Sequence, residues 1–439
     1  MPHQPFHYRS LAELIAERDA LGLSLALQED LSPLAQPLCI GDMTAPNRLA
    51  IQPMEGCDSN EHSAPGELTV RRYHRFAGSG AALIWFEATA IVPEARANPR
   101  QAMLTEENVD AFKRLIDDMR AIAMKEHGIN PMIIVQLTHS GRYSKPQGVP
   151  APIAARHNPI YDRDRALDEA CIVQDSCLDA LPDQYARAVR LAHRAGFDGA
   201  DIKACHGYLL CELLSAHTRA GRYGGSFENR TRLYLDAVRA AQAAAPAGFI
   251  VTSRLNAYDG LPHPWGFGAS AQSPQEDLAE PIALVKKLHS LGMPLINITI
   301  GNPYYNPHVN RPYDEGQYGA PEHPLQGVAR ICRITAALKA AVPGMAVVSS
   351  GNSYLRELSP YMAAGMLATG AADLVGFGRE AFAYPDFARD IMADGAMNPR
   401  KTCIACGKCS ELMRQTTAGC VVRDARVYAP IYQAMKAGG

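Results

Sequence analysis

Eight short apolar runs recur along this chain, and their spacing limits the folds it can adopt more than any other feature. Gly or Pro typically bounds each run, and longer amphipathic segments separate most of them. The runs are Leu49–Met54, Ala81–Phe86, Met132–Leu137, Gly199–Ile202, Phe249–Leu255, Leu295–Ile300, Ala346–Ser349 and Leu374–Phe377. The helical segments between them are Glu106–Lys125, Leu181–Arg194, Asn229–Ala244, Pro281–Leu291, Ala329–Ala341 and Leu355–Leu367. Strand–helix units in series predict a parallel sheet, and eight of them close a (β/α)8 TIM barrel. The alternative is an open doubly wound sheet, which normally carries a G-x-G-x-x-G motif after its first strand; no such motif occurs here.

Composition excludes several functional classes. The 439 residues carry a net charge of -2 without a basic stripe, which argues against a nucleic-acid partner. No run of about 18 apolar residues predicts a membrane span, and the N-terminus lacks the apolar core of a signal peptide. We therefore expect a cytoplasmic protein. We expect residues 1–38 to form a helical appendage with one helix over Leu11–Leu25, residues 39–395 the barrel, and residues 396–439 a cysteine-bearing segment.

Chemistry in a TIM barrel lies at the carboxyl ends of its strands, so the residues that follow each apolar run matter most. After the fourth run, Lys203, His206 and Tyr208 bring three proton-active groups together. They are consistent with an oxyanion-binding pair and a tyrosine proton donor. The alternative is structural, with Lys203 paired to a carboxylate such as Asp201 and His206 capping a turn.

Other strand ends carry groups suited to a flavin nucleotide. Gln136 offers a donor and an acceptor for the pyrimidine edge, and Arg254 offers a cation for the N1–C2 edge, although either could be structural. The seventh and eighth runs are followed by Ser349-Ser350-Gly351-Asn352 and Gly376-Phe377-Gly378-Arg379. Phosphate sites in TIM barrels are frequently built from these two loops.

Four cysteines form the sharpest motif. Cys403, Cys406 and Cys409 give C-x2-C-x2-C, and Cys420 follows after ten residues. This spacing favours a [4Fe–4S] cluster. Zinc is the alternative, although its four-cysteine sites usually use two separated C-x2-C pairs.

Taken together, these motifs resemble the old yellow enzyme superfamily of FMN oxidoreductases, within it the 2,4-dienoyl-CoA reductase and trimethylamine dehydrogenase branch. The resemblance spans about residues 33–425 and includes Asn47-Arg48-Leu49, Phe86-Glu87-Ala88-Thr89-Ala90, His206-Gly207-Tyr208-Leu209-Leu210 and Tyr223–Arg230. It implies FMN contacts at Pro53, Met54, Glu55, Ala88, Gln136, Arg254, Gly351, Asn352, Gly378 and Arg379. It also implies that residues 203 and 206 hold a substrate carbonyl oxygen, that Tyr208 protonates carbon, and that the four cysteines bind the cluster.

Three departures from that family bear on function. Lys203 stands where the family usually has His, which favours a carboxylate or a developing enolate. The third cysteine comes one residue early, and the gap to Cys420 is one residue shorter. Relatives with the cluster carry a further dinucleotide domain, whereas this sequence ends at Gly439. Either a separate protein exchanges electrons through the cluster, or NAD(P)H reduces FMN directly and the metal is structural.

Three functional hypotheses follow. The first is reduction of an activated C=C bond in an unsaturated carbonyl or acid, a small-molecule substrate. The second is amine or N-methyl dehydrogenation with electrons leaving through the cluster, for which Tyr304, Tyr305 and Tyr313 are candidate pocket residues. The third is a flavin and iron–sulfur electron-transfer subunit. The choice between NADH and NADPH, and assembly into a homo-oligomer, stay open.

Overall fold

The computed structural model describes residues 2–164, 166–273 and 275–438. Its strands are β1 (Leu38–Ile40), β2 (Met43–Ala45), β3 (Leu49–Ile51), β4 (Leu83–Ala90), β5 (Met132–Thr138), β6 (Gly199–Ile202), β7 (Ile250–Asn256), β8 (Leu295–Thr299), β9 (Ala346–Ser349) and β10 (Leu374–Phe377). Its α-helices are α1 (Leu11–Ala20), α2 (Glu67–Ala77), α3 (Val109–His127), α4 (Asp175–Asp179), α5 (Leu181–Arg194), α6 (Leu209–Leu214), α7 (Phe227–Ala244), α8 (Ala279–Ser290), α9 (Pro307–Asn310), α10 (Pro324–Ala341), α11 (Ser359–Ala368), α12 (Arg379–Ala383), α13 (Phe387–Asp394), α14 (Lys408–Met413) and α15 (Ala425–Ala437). Short 3-10 helices cover Ser32–Ala35, Pro93–Ala95, Gly141–Tyr143, Glu169–Cys171 and Ser353–Leu358.

Strands β3 to β10 form a closed, eight-stranded barrel in which β10 pairs with β3. Every neighbouring pair in the barrel is parallel. Each of the eight apolar runs overlaps one of these strands, although β4, β5 and β7 extend beyond their runs, so the TIM-barrel prediction is confirmed. Strand β3 ends at Ile51, three residues before the end of its run, which leaves Gln52 to Met54 at the mouth of the barrel.

Three local elements differ from the expectations. Helix α1 stops at Ala20 rather than Leu25, because the chain turns through Gly22 in the left-handed region, at a φ of 63°. Strands β1 and β2 form an antiparallel hairpin before the barrel. Helix α2 was not predicted, although it buries Tyr73 and Phe76 against the barrel.

Asp314, in the loop after β8, joins the N-terminal segment to the cysteine motif. The backbone N–H of Phe6 donates to its carboxylate at 3.1 Å, and Arg356 pairs with the other carboxylate oxygen. The backbone N–H of Asp314 donates to the carbonyl of Ala405, within the cysteine motif, at 3.2 Å. The N-terminal and C-terminal segments are thus anchored to one loop at the mouth of the barrel. Within the described ranges, no helix combines the length and the apolar character needed to cross a bilayer.

Candidate functional site

A cleft of about 1060 Å³ opens where the carboxyl ends of the barrel strands meet. Twelve residues predicted for flavin or substrate line it: Pro53, Met54, Glu55, Ala88, Gln136, Lys203, His206, Tyr208, Arg254, Gly351, Gly378 and Arg379. Sequence positions more than 300 residues apart therefore meet in one cavity.

Asn352 is the one residue of that predicted set that does not line the cleft. It is 1% exposed, and neither its side-chain oxygen nor its nitrogen has a hydrogen-bond partner among the described residues. Its neighbour Gly351 has a φ of 86°, and a Cβ there would lie 2.3 Å from Ile331 Cδ1. The backbone conformation at 351 thus favours glycine, and any larger residue would also have to displace the end of the Ile331 side chain.

Lys203 and His206 present free polar groups to the cleft. Lys203 is 4% exposed, and its ammonium makes no hydrogen bond or ion pair with another side chain of the described ranges. Its Nζ lies 3.6 Å from the centroid of the Tyr208 ring. His206 has a φ of 64°, and its buried Nε2 has no described partner. Burial, with Arg254 and Lys203 nearby, holds the pKa of His206 well below its usual value, so its imidazole is neutral.

The structural alternative for Lys203 is not realised, because Asp201 is occupied by other groups. Gln136 Nε2 donates to Asp201 Oδ2 at 2.7 Å, and the backbone N–H of Arg254 donates to Oδ1 at 2.6 Å. This arrangement fixes the Gln136 amide with its nitrogen toward Asp201. The Gln136 oxygen is thereby left as the acceptor on the side of the cleft.

Tyr208 connects the cleft to a carboxyl group. Its hydroxyl donates to Glu55 Oε2 at 3.0 Å and lies 2.9 Å from the hydroxyl of Tyr304. The rings of Tyr143 and Tyr304 stack beside it, with centroids 4.1 Å apart. Burial raises the pKa of Glu55, and Lys203 and the Tyr208 hydrogen bond oppose that rise.

Three arginines converge at the other end of the cleft. Arg311 and Arg414 lie there beside the predicted Arg379, and none of the three forms an ion pair with a carboxylate of the described chain. Burial, together with Arg379 and Arg414, lowers the pKa of Arg311 to about 10. This excess of positive charge suits a phosphate dianion.

Arg311 and Arg414 were not predicted, because they come from a long loop and from the cysteine segment rather than from strand ends. Gln52, Tyr304, Asn310 and Phe382 also line the cleft. Of these, only Tyr304 was singled out from the sequence. The sequence signal that could have identified Arg414 as a site residue is its position, as a basic residue, close to the cysteine motif.

The four cysteines lie around a smaller cavity beside the cleft. Cys403, Cys406, Cys409 and Cys420 all line it, and Cys409 also lines the cleft itself. Backbone N–H groups of Ala405 and Arg423 donate to the sulfurs of Cys403 and Cys420, at 3.4 and 3.2 Å. Among the described residues, no three His, Cys, Asp or Glu side chains are grouped closely enough to hold a metal ion. All eleven cysteines are free thiols.

A buried ion network fastens the cysteine segment to the barrel. Arg72 contacts Asp58 at 2.7 Å and Glu87 at 3.0 Å, and it donates to the carbonyl of Ala418 at 3.0 Å. Thr417 donates to Asp58 as well. Asp58 lies three residues from Glu55, so this network also supports the wall of the cleft next to Tyr208.

The profile of the NADH:flavin oxidoreductase / NADH oxidase family matches residues 33–282, more than half of the chain. The chain belongs to this family. It is similar to 12-oxophytodienoate reductase 7 of Oryza sativa subsp. japonica, with 27% identity over 84% of this chain and 91% of the relative. It is also similar to the NADPH dehydrogenase of Bacillus subtilis (strain 168), with 27% identity over 81% of this chain and 93% of the relative. The old yellow enzyme resemblance and the assignment as a flavin-dependent oxidoreductase are confirmed.

Solved structures agree on the fold. A 2-naphthoyl-CoA reductase in complex with 2-naphthoyl-CoA superposes on 92% of this chain with a TM-score of 0.73 and 18% identity. The present chain spans only 58% of that longer protein. Morphinone reductase in complex with tetrahydroNAD superposes on 83% of this chain and 92% of its own, with a TM-score of 0.61 and 24% identity.

Proposed function

We propose that this protein is an FMN-dependent ene-reductase that reduces an activated C=C bond in an α,β-unsaturated carbonyl or acid. The observation that carries the proposal is the convergence of Lys203, His206 and Tyr208 on one wall of the cleft. All three side chains line the cavity, and the buried Nε2 of His206 has no described hydrogen-bond partner. Buried polar groups without partners are costly in a folded protein, which favours a ligand that supplies the missing contacts.

The other side of the cleft fits FMN. Arg311, Arg379 and Arg414 would hold the phosphate, together with the backbone at Gly351 and Gly378. The oxygen of Gln136 would accept from N3–H of the flavin ring, and Arg254 would face the N1–C2 edge. Pro53, Met54 and Ala88 would contact the ring. Reduced by NAD(P)H, bound FMN supplies a hydride equivalent to a polarised C=C bond.

The substrate carbonyl would be activated by two different groups. Nε2 of His206, in the neutral imidazole, can donate one hydrogen bond to the carbonyl oxygen. Burial lowers the pKa of Lys203, and in its protonated form the side chain would add positive charge near that oxygen, where an enolate develops. Tyr208 would then protonate the carbon next to the carbonyl. Exclusion of water from this buried wall strengthens each of these interactions.

The experiment that tests this function separates the two half-reactions. Purified protein is reduced anaerobically with NADPH or NADH while flavin absorbance is followed, and is then mixed with a panel of enones and unsaturated acids. We expect rapid flavin reoxidation with at least one substrate. A colourless protein that takes up no FMN, or a reduced flavin that no compound on the panel reoxidises, would contradict the proposal.

We further propose that the four cysteines bind a [4Fe–4S] cluster, with zinc as the alternative. Two N–H···S hydrogen bonds support thiolate ligands, because backbone donors stabilise negative sulfur. This cluster would place the chain near the 2,4-dienoyl-CoA reductase and trimethylamine dehydrogenase branch, and would allow a separate electron-transfer protein as partner. It accords with residues 1–38, 39–395 and 396–439 as appendage, barrel and cluster segment. Iron and zinc analysis of anaerobically purified protein distinguishes the two metals.

Amine dehydrogenation is less favoured by the charge in the cleft. The uncompensated Lys203 would repel a protonated amine beside it. Of the three tyrosines considered for an amine pocket, Tyr304 lines the cleft, whereas Tyr305 lies in an outer groove and Tyr313 lies nearer the cysteine segment. The electron-transfer alternative predicts FMN and cluster but no reoxidation of the flavin by small molecules.

A further inference from the structure

Glu55 lies directly behind the tyrosine that is proposed to protonate the substrate. It follows β3 in the chain, whereas Tyr208 follows β6, so the barrel brings them together across its mouth. Their contact is a single hydrogen bond, in which Tyr208 donates to Glu55 Oε2 at 3.0 Å. Both groups line the cleft.

This hydrogen bond creates a conflict for an ionised carboxylate. A tyrosine hydroxyl has one proton to donate. If Glu55 is ionised, it holds that proton in a charge-assisted hydrogen bond directed away from the substrate. If Glu55 is protonated, it can donate to the Tyr208 oxygen instead, and the tyrosine proton is then free to point into the cleft.

The surroundings of Glu55 determine which of its oxygens carries the proton. Asn98 Nδ2 lies 3.3 Å from Oε1, and the thiol of Cys57 lies 3.8 Å from the same oxygen. Both are donors, so Oε1 is an acceptor on that side. The proton of a neutral Glu55 therefore resides on Oε2, the oxygen that faces Tyr208.

We propose that Glu55 is a proton-relay residue that acts through Tyr208, delivering a proton to the tyrosine oxygen as the tyrosine protonates the substrate. This inference rests on the ene-reductase function proposed above. As the O–H bond of Tyr208 breaks, a C–H bond forms at the carbon next to the carbonyl of the enolate. The Oε2–H bond of Glu55 breaks at the same time and re-forms the phenol, which leaves a carboxylate. One proton moves over each hydrogen bond, and no electrons are exchanged in the relay.

The charged and titratable groups facing Glu55 are Lys203 and Tyr208 from the loop after β6, Cys57 from its own loop, and Tyr304 from the loop after β8. Burial raises the pKa of Glu55 and favours the neutral acid, while Lys203 favours the carboxylate. Lys203 would therefore ease loss of the proton and then stabilise the resulting charge.

A path for the returning proton is also present. The hydroxyl of Tyr304 lies 2.9 Å from that of Tyr208, and Tyr304 is 36% exposed. A proton from solvent can thus enter through Tyr304 and pass along the hydroxyl of Tyr208 to Glu55. Glu55, Tyr208 and Tyr304 together form a hydrogen-bonded chain from the half-buried acid to a partly exposed tyrosine.

Glu55→Gln is the matched test, because the amide can keep the contacts of the acid without a transferable acidic proton. Its oxygen can accept from Asn98, and its nitrogen can donate to Tyr208. Anaerobically reduced holoenzyme is mixed with 2-cyclohexenone, and the rate of flavin reoxidation is measured against pH. In the wild-type protein we expect the rate to fall about tenfold per pH unit above the midpoint of Glu55. In Glu55→Gln that descending limb should disappear, with a rate about 10²-fold below the acid plateau of the wild type.

Two further measurements make the result specific. Tyr305→Phe, in the outer groove, serves as a control that retains the Glu55–Tyr208–Tyr304 contacts, and we expect it to keep the descending limb at the same midpoint. Difference infrared spectra of the holoenzyme at two pH values should contain a carboxylic-acid C=O band that Glu55→Gln lacks. Bound FMN and circular dichroism confirm that each variant is folded.

A Glu55→Gln variant that keeps the wild-type pH limb would overturn the relay while the ene-reductase function stands. Absence of the acid band from the wild-type spectrum would also overturn it. Failure of every enone to reoxidise the wild-type flavin would instead refute the function, and with it the relay. In that case the infrared band would still show a protonated Glu55 with a different role.

Discussion

Replacement of Arg72 by Met should destabilise the protein severely. Arg72 is 3% exposed, and it is the shared partner of two buried carboxylates, Asp58 and Glu87. Met has a similar length but no charge, so the change removes the guanidinium with little loss of packing. The carbonyl of Ala418 loses a donor in the same step.

The magnitude follows from the charge that stays behind. Burial raises the pKa of Asp58, but Arg72 and several hydrogen bonds outweigh that effect and lower it to about 2, so this group is ionised at neutral pH. Burial raises the pKa of Glu87 to about 7 against the pull of Arg72, so it is only partly ionised there. Without Arg72, this carboxylate of Asp58 must either stay charged without its main partner or take up a proton against its ordinary pKa, and both cost free energy. Breaking such a pair costs about 3–5 kcal/mol, a large share of the roughly 5–15 kcal/mol that stabilises a typical protein.

The pH dependence has a defined sign. Asp58 has a folded pKa below its ordinary 3.8, so the stability it contributes is present above that value and is lost as the pH falls toward 2. Glu87 has a folded pKa above its ordinary 4.5, so its contribution is full below 4.5 and is lost as the pH rises through 7. Without Arg72 both carboxylates hold a proton more tightly in the folded state than in the unfolded state, so the penalty of Arg72→Met should be smaller at pH 5 than at pH 7.

The free energy of unfolding of the holoenzyme is measured by urea denaturation at both pH values. Tryptophan fluorescence and circular dichroism monitor the unfolding transition. Arg71→Met is the matched control. Arg71 has a side chain that is 35% exposed, and its partner Asp424 keeps a second arginine, Arg75, so we expect a loss below about 1 kcal/mol. A loss for Arg72→Met no larger than that of the control would refute the reasoning.

Three further predictions concern the site. Lys203→Ala should weaken binding of a phenolate ligand by roughly 10- to 100-fold, because a hydrogen bond to a charged group contributes about 1.5–3 kcal/mol. Flavin charge-transfer absorbance measures this binding, and an unchanged affinity would show that Lys203 is not part of the oxyanion pair. Tyr208→Phe should slow flavin reoxidation by roughly 10²–10⁴-fold while flavin reduction by NADPH proceeds normally, and normal rates in both half-reactions would disprove the assignment of the acid. Cys406→Ser should lower the iron content while FMN absorbance persists; retained iron would exclude Cys406 as a ligand.

The barrel could be predicted because its strands are apolar on both faces and interrupted at regular intervals. Periodicity of this kind depends on local sequence alone, as in α5, whose bounds Leu181–Arg194 were predicted without error. Helix α2 escaped prediction because its sequence is rich in arginine and histidine, and one of those arginines, Arg72, is buried through ion pairing. Sequence patterns treat such a residue as solvent-exposed.

The cleft was predictable to the extent that its residues follow strands. Lys203, His206 and Arg254 come from strand ends, and the closed barrel necessarily brings those ends together. Arg311 and Arg414 lie in segments whose path depends on tertiary contacts, so no local pattern places them beside Arg379. The role of Glu55 as partner of Tyr208 likewise depends on a contact 153 residues apart in sequence.

The attachment of the N-terminal segment and the cysteine motif to Asp314 determines how this part of the protein unfolds. Amide hydrogens of residues 2–8 and 401–407 should exchange with solvent together, as one cooperative unit, although nearly 400 positions separate them. Because Arg311 lies three residues from Asp314, the same opening would also displace Arg311 from the proposed phosphate site. Deletion of residues 2–8 would then lower the affinity of the protein for the flavin nucleotide.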